Sequence, residues 1–176
     1  MKTSRLLMLL TTVALVTACG PSREKMQSEI QEAESAMSAL QYEIDSDAAM
    51  QLAARYTKYA DCFPKDSLAP IYLMKCADLQ AGIGQTNEAV ATFDRIIDNY
   101  PDFEELPICY FFKGSTLERA GRMEEAVAVY EEYLELYPNH FMADDLRVLL
   151  PLVKQGMNED EQLEYLLSHT TENMAQ

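Results

Sequence analysis

The chain has 176 residues, with 29 acidic against 14 basic side chains and a net charge of −15. That balance argues against nucleic acid and against charge-driven adsorption to an anionic membrane, and it favours basic partners. Two histidines, His140 and His169, stand far apart, no His/Cys spacing suggests zinc, and no phosphate loop or Gly-x-Ser-x-Gly is present; catalysis, metal and cofactor are therefore not expected.

Residues 1–18 read as a targeting segment. Lys2 and Arg5 precede an apolar run over Leu6–Val16 that is short for a membrane span. The run ends in Leu15-Val16-Thr17-Ala18-Cys19, which resembles a bacterial lipobox. The resemblance implies cleavage before Cys19 and lipid on that residue. Several acyl chains would exceed the two-signal requirement for stable anchoring. The bland alternative is an ordinary secretory signal with an incidental Cys. Residues 19–23 form a short tether, 24–170 a single helical domain, and 171–176 a flexible tail.

Met26, Ile30, Ala33, Met37, Leu40 and Ile44 recur at steps of four and three, which predicts an amphipathic helix. It serves either as the first helix of a repeat or as a short coiled coil, although Ala33 and two Met are weak seam residues. The repeat reading is preferred, and it makes the exported domain a monomer. Ser46 is the expected N-cap of the next helix, over 48–63. Asp66-Ser67 opens a helix running to Ala81, with Pro70 in its first turn, where a missing N–H is harmless. Pro107 has the same place in a helix ending at Ala120.

Gly121 to Pro138 forms one helix and a stop, with Met123, Val127, Tyr130, Leu134 and Tyr137 on its apolar face and Glu124, Glu125, Glu131, Glu132 and Glu135 mostly opposite. Asn139 is the expected cap of a helix carrying Phe141, Leu146, Val148, Leu149, Leu152 and Val153, in which Pro151 should cost stability. Asn158 and Glu161 form a capping box before Leu163, Leu166 and Leu167.

Gly84, Ala89, Phe93 and Pro101 recur 37 residues later as Gly121, Ala126, Tyr130 and Pro138, and one period earlier as Leu52, Tyr56 and Pro64. A fixed period in this range means stacked supersecondary units. With Gly114, these residues resemble the tetratricopeptide repeat (TPR) signature, whose usual period is ~34. The resemblance implies an all-α solenoid of about three helix pairs plus a C-terminal capping pair over 140–169. It also implies a mode of action, the binding of a protein or peptide partner.

In that family, positions counted from the Pro that starts each first helix face a groove. Here they are Ile71, Met74, Asp78, Ala81 and Gly82, then Ile108, Phe111, Ser115, Glu118 and Arg119, with Met37 and Gln41 from the first repeat. Ile71, Met74, Ile108 and Phe111 should form an apolar floor, with Glu118 and Arg119 at the rim. The core stripe of the helix after Pro107 should be Tyr110, Gly114, Leu117 and Gly121. Cys62, Cys76 and Cys109 are expected as buried thiols. The whole resembles small TPR lipoproteins of the bacterial envelope, of the outer-membrane assembly-factor and Tol-Pal coordinator kinds. It implies an adaptor anchored to the outer membrane and facing the periplasm. A self-associating structural lipoprotein using the Met26–Ile44 helix is the alternative.

Overall fold

The computed structural model describes residues 22–39 and 45–174, with side chains described as far as residue 168. Among the described residues the chain is helical without a strand. The elements are α1 (Arg23–Ser38), α2 (Ser46–Cys62), α3 (Leu68–Gly82), α4 (Thr86–Asn99), α5 (Leu106–Arg119), α6 (Met123–Leu136), α7 (Ala143–Lys154) and α8 (Glu159–Met174). Each packs on the next, so they pair as α1/α2, α3/α4, α5/α6 and α7/α8 in an all-α helical repeat.

Two kinds of turn repeat along the stack. Within pairs, Gly84, Gly121 and Gly156 take φ of 77°, 74° and 78°. The following N–H reaches back five residues: Gln85 to Gln80 at 2.8 Å, Arg122 to Leu117 at 2.9 Å and Met157 to Leu152 at 3.2 Å. That is a Schellman closure, which needs a left-handed residue and so favours glycine.

Between pairs, Phe63, Tyr100 and Tyr137 end α2, α4 and α6, their N–H groups bonded four residues back at 2.8, 2.9 and 2.8 Å. Pro64, Pro101 and Pro138 follow, and none can continue a helix. Two successive three-residue closures complete each connection: 63–66 and 66–69, 100–103 and 103–106, 137–140 and 140–143. This double turn accommodates a period longer than the usual ~34 residues.

The middle residue of each double turn is tied to an earlier helix. Asp66 accepts from Arg23 of α1 at 2.5 Å, His140 Nδ1 lies 2.5 Å from the Tyr133 hydroxyl of α6, and Phe103 packs on the cluster that holds Ile96.

The larger core runs from Ala60 through Leu73, Phe93, Leu117 and Tyr133 to Val153, and a second cluster joins α1, α2 and α3 through Met26, Ile30, Leu52, Tyr56, Tyr59 and Cys76. Ala89 and Ala126 are fully buried, as small residues at helix crossings should be. A Cβ on Gly114 would lie 2.3 Å from the Tyr130 ring, so the approach of α5 to α6 requires glycine there. Met26 and Ile30 are buried within the first repeat, with Ala33 and Met37 packed beside them; Leu40 and Ile44 lie outside the described residues.

Several local expectations are corrected. Asp45, not Ser46, caps α2, accepting from Asp47 N at 2.9 Å and Ala48 N at 3.3 Å, because a carboxylate one residue earlier reaches the same free N–H groups. Asn139 caps nothing: it sits in the third double turn, and α7 begins at Ala143. Phe141 is therefore 76% exposed, and Val148 faces outward on α7 while Leu146, Leu150, Leu152 and Val153 are buried. Pro151 is accommodated in the last turn of α7. On α6 the buried face is Ala126, Val129, Tyr130 and Tyr133, with Met123, Val127, Leu134 and Tyr137 at its borders. Of the cysteines, Cys76 and Cys109 are buried but Cys62 is exposed, since it closes α2 on its solvent side. The α8 helix continues to Met174, past the expected boundary at 170, because no Gly or Pro follows Gly156.

Candidate partner-binding surface

The groove positions fall on α3 and α5, which touch each other. Ile71 and Met74 on α3, and Ile108, Phe111 and Ser115 on α5, are half-buried; Asp78 and Arg119 are exposed. Cys19 lies outside the described residues, as does Gln41. No helix among the described residues is long and apolar enough to cross a membrane, and no three of their His, Cys, Asp or Glu side chains gather to hold a metal.

Met74 and Phe111 pack against the core, and the Phe111 ring centre lies 6.0 Å from that of Tyr130 on α6. The stripe of Tyr110, Gly114 and Leu117 covers only part of the α5 surface that α6 buries. Tyr130 spreads across its other border, because Gly114 leaves room for the ring.

Glu118 is the clearest correction. It was expected at a solvated rim, yet it is 7% exposed. Its Oε2 accepts from the Tyr130 hydroxyl at 2.9 Å, and its Oε1 accepts from the side-chain amide of Gln162 on α8. Burial, reinforced by the Glu118 charge, pushes the Tyr130 hydroxyl well above its ordinary pKa, so it remains a donor. Gln162 gave no sequence signal, since a lone glutamine in an acidic helix reads as solvated surface.

Arg119 donates to the Ala81 carbonyl at 3.2 Å. It thus ties the end of α5 to the end of α3, where carbonyls lack helical partners and carry partial negative charge. A cation there sets the spacing of the two helices.

Asp78 faces a separate hollow of about 420 Å³ between α1, α2 and α3, lined also by Met37, Leu52, Tyr56 and Leu79. Glu34 on its wall accepts from Lys75 at 2.6 Å and from the Tyr56 hydroxyl at 2.7 Å. Burial alone would raise the Glu34 carboxyl; the Lys75 and Tyr56 bonds outweigh it and hold the group below the usual range. Burial pushes the Cys109 thiol up to about 12 and raises Cys76 as well, which leaves both as unreactive packing groups.

The surface is therefore two part-buried apolar patches, with Asp78 beside one and Arg119 between them. Family models for the tetratricopeptide repeat match residues 72–102 and 108–140, the first across α3 and α4 and the second across α5 and α6. Neither the curated proteins nor the solved structures compared with the chain gave a match.

Proposed function

We propose that the chain, whose residues 72–102 and 108–140 match tetratricopeptide repeat models, is an adaptor in protein–protein interaction that works from a lipid anchor at Cys19 in a bacterial envelope membrane, as a monomer on the periplasmic side of the outer membrane. The observation that carries the binding reading is the repetition of Ile71 and Met74 as Ile108 and Phe111, one period apart on two adjoining helices and all four short of full burial. Part-exposed apolar residues in register suit a peptide or helix of a partner. The anchor rests on Leu15-Val16-Thr17-Ala18-Cys19 behind a basic and then apolar segment. Envelope assembly or maintenance fits such an adaptor.

Two experiments test the parts separately. Changing Ile71 and Ile108 together to Ser should weaken partner capture from detergent-solubilised envelopes while leaving the melt nearly in place; undiminished capture would put the binding surface elsewhere. Cys19→Ala should release the protein from the membrane fraction or leave it unprocessed. Mass spectrometry of the wild type showing an unlipidated mature N-terminus would remove the anchor.

A further inference from the structure

A helix that closes a stack docks through an apolar stripe. The α8 helix does not. From Glu159 to Ser168 its only buried side chain is Gln162, at 5% exposure, with Leu166 half-buried. Leu163 and Leu167, the leucines that should form the stripe, are 58% and 60% exposed. The amide of Gln162 donates to Glu118 and to the Met157 carbonyl, the latter at 2.8 Å. The other Glu118 oxygen takes the Tyr130 hydroxyl.

Both donors to this buried carboxylate are neutral. Among the described residues no Lys, Arg or His forms an ion pair with it. The bonds from Tyr130 and Gln162 are charge-assisted on the acceptor side alone; a Lys or Arg donor would add the opposite charge and turn the contact into an ion pair. Of the acids in the first turn of α8, the Glu159 charge is felt at the Tyr130 hydroxyl, so the helix brings like charge to the site. The resident helix thus supplies the right geometry, a long side-chain donor in its first turn, with the weaker chemistry.

We infer that α8 is a displaceable occupant of the Glu118–Tyr130 site on α5, and that the partner this site takes is a helical segment presenting Lys or Arg where Gln162 now stands. Such a segment replaces an amide by a cation at a buried anion, and the net charge of −15 favours its approach. The inference rests on the reading of the chain as a protein-binding adaptor and names the gate to one part of its surface.

The test uses the full chain and two synthetic peptides of residues 157–174, one native and one carrying Gln162→Lys. Peptide anisotropy reports binding, and hydrogen exchange reports the chain's own α8 amides. The lysine peptide should bind about tenfold more tightly than the native one and should speed exchange of the resident α8. Glu118→Gln in the chain should erase that preference, since its carbonyl still accepts from Tyr130 but no longer attracts a cation. Independently, Gln162→Glu in the chain should set carboxylate against carboxylate and release α8 without loosening α5 and α6. Equal or absent binding of the two peptides, or α8 exchange unmoved by both the lysine peptide and Gln162→Glu, would overturn the proposal. Loss of envelope capture is scored by the Ile71 and Ile108 variant. A lysine preference that survives a failure there moves the binding surface away from Ile71 and Ile108 and leaves the displaceable helix standing; the reverse result does the opposite.

Discussion

Helix α1 buries Met26 and Ile30 against α2 and α3, whereas among the described side chains of α8, from Glu159 to Ser168, Gln162 alone is fully buried. At the α1 end, ion pairs sit over an apolar contact: Arg23 to Asp66 at 2.5 Å and Lys75 to Glu34 at 2.6 Å. At the α8 end, an amide does the holding while leucines face water. Burial of an Ile or Met side chain is worth about 1.5–3 kcal/mol and α1 buries one of each, whereas the single hydrogen bond from Gln162 to a charged group is worth about 1.5–3. The first repeat is therefore closed by the force that folds the rest of the stack, and the last helix is held by a contact that can be exchanged.

The largest effect should come from cutting the apolar contact at the first end. Ile30 is 1% exposed, so Ile30→Ala should cost about 2–5 kcal/mol, read from urea melts. Loss of α1 protection in hydrogen exchange should accompany it, with α5 and α6 retained. A melt that coincides with wild type would mean that α1 closes nothing.

Next comes Gln162→Ala, which leaves buried Glu118 with the Tyr130 hydroxyl as its remaining side-chain donor. The expected cost is about 1–3 kcal/mol, seen chiefly as faster α8 exchange. An effect as large as that of Ile30→Ala would erase the contrast between the ends.

Acid should loosen the first end in a defined window. The hydrogen bond and charge of Arg23 hold Asp66 below its ordinary pKa, and Glu34 is likewise depressed. Groups depressed in the folded state contribute stability above their unfolded pKa values of about 4, and it is lost as pH falls through the folded values. Protection of the α1 amides, taken against their intrinsic exchange rate at each pH, should therefore be flat from neutral pH to about 5 and should fall below about 4. Both pairs are partly exposed and screened, so the effect on the global melt should be small. Loss of protection that begins well above pH 5 would assign α1 docking to other groups.

The stack was legible in the sequence because its rules are local. Gly84 and Gly121 mark turns that only a left-handed residue closes, Pro64, Pro101 and Pro138 mark stops, and Ala89 and Ala126 mark crossings. The candidate surface was less legible. The position of Phe111 tells which way its side chain leaves α5, but not that Gly114 lets the Tyr130 ring come out to meet it. Nothing near Glu118 announces a partner 44 residues away. Cys62 was expected buried from the general tendency of free thiols, which its place at the end of α2 overrides, and Phe141 was misplaced because hydrophobic spacing does not say that α7 starts only at Ala143.

The smallest expected effect is at Leu163. Leu163 and Leu167 are one helical turn apart on a helix that begins with a capping box. Asn158 and Glu161 do form that box, at 2.9 and 3.1 Å, so the start of α8 is specified locally whatever the helix packs against. A helix can thus be well formed and still poorly docked. With Leu163 58% exposed, Leu163→Ala removes little contact, and alanine's higher helix propensity offsets part of what is lost. The melt should move by no more than about 0.5 kcal/mol. The same change at Ile30 should move it several-fold further, although both are branched aliphatics on terminal helices. Parity between the two would show that α8 is docked through its leucines in solution, and its amide grip on Glu118 would then be incidental.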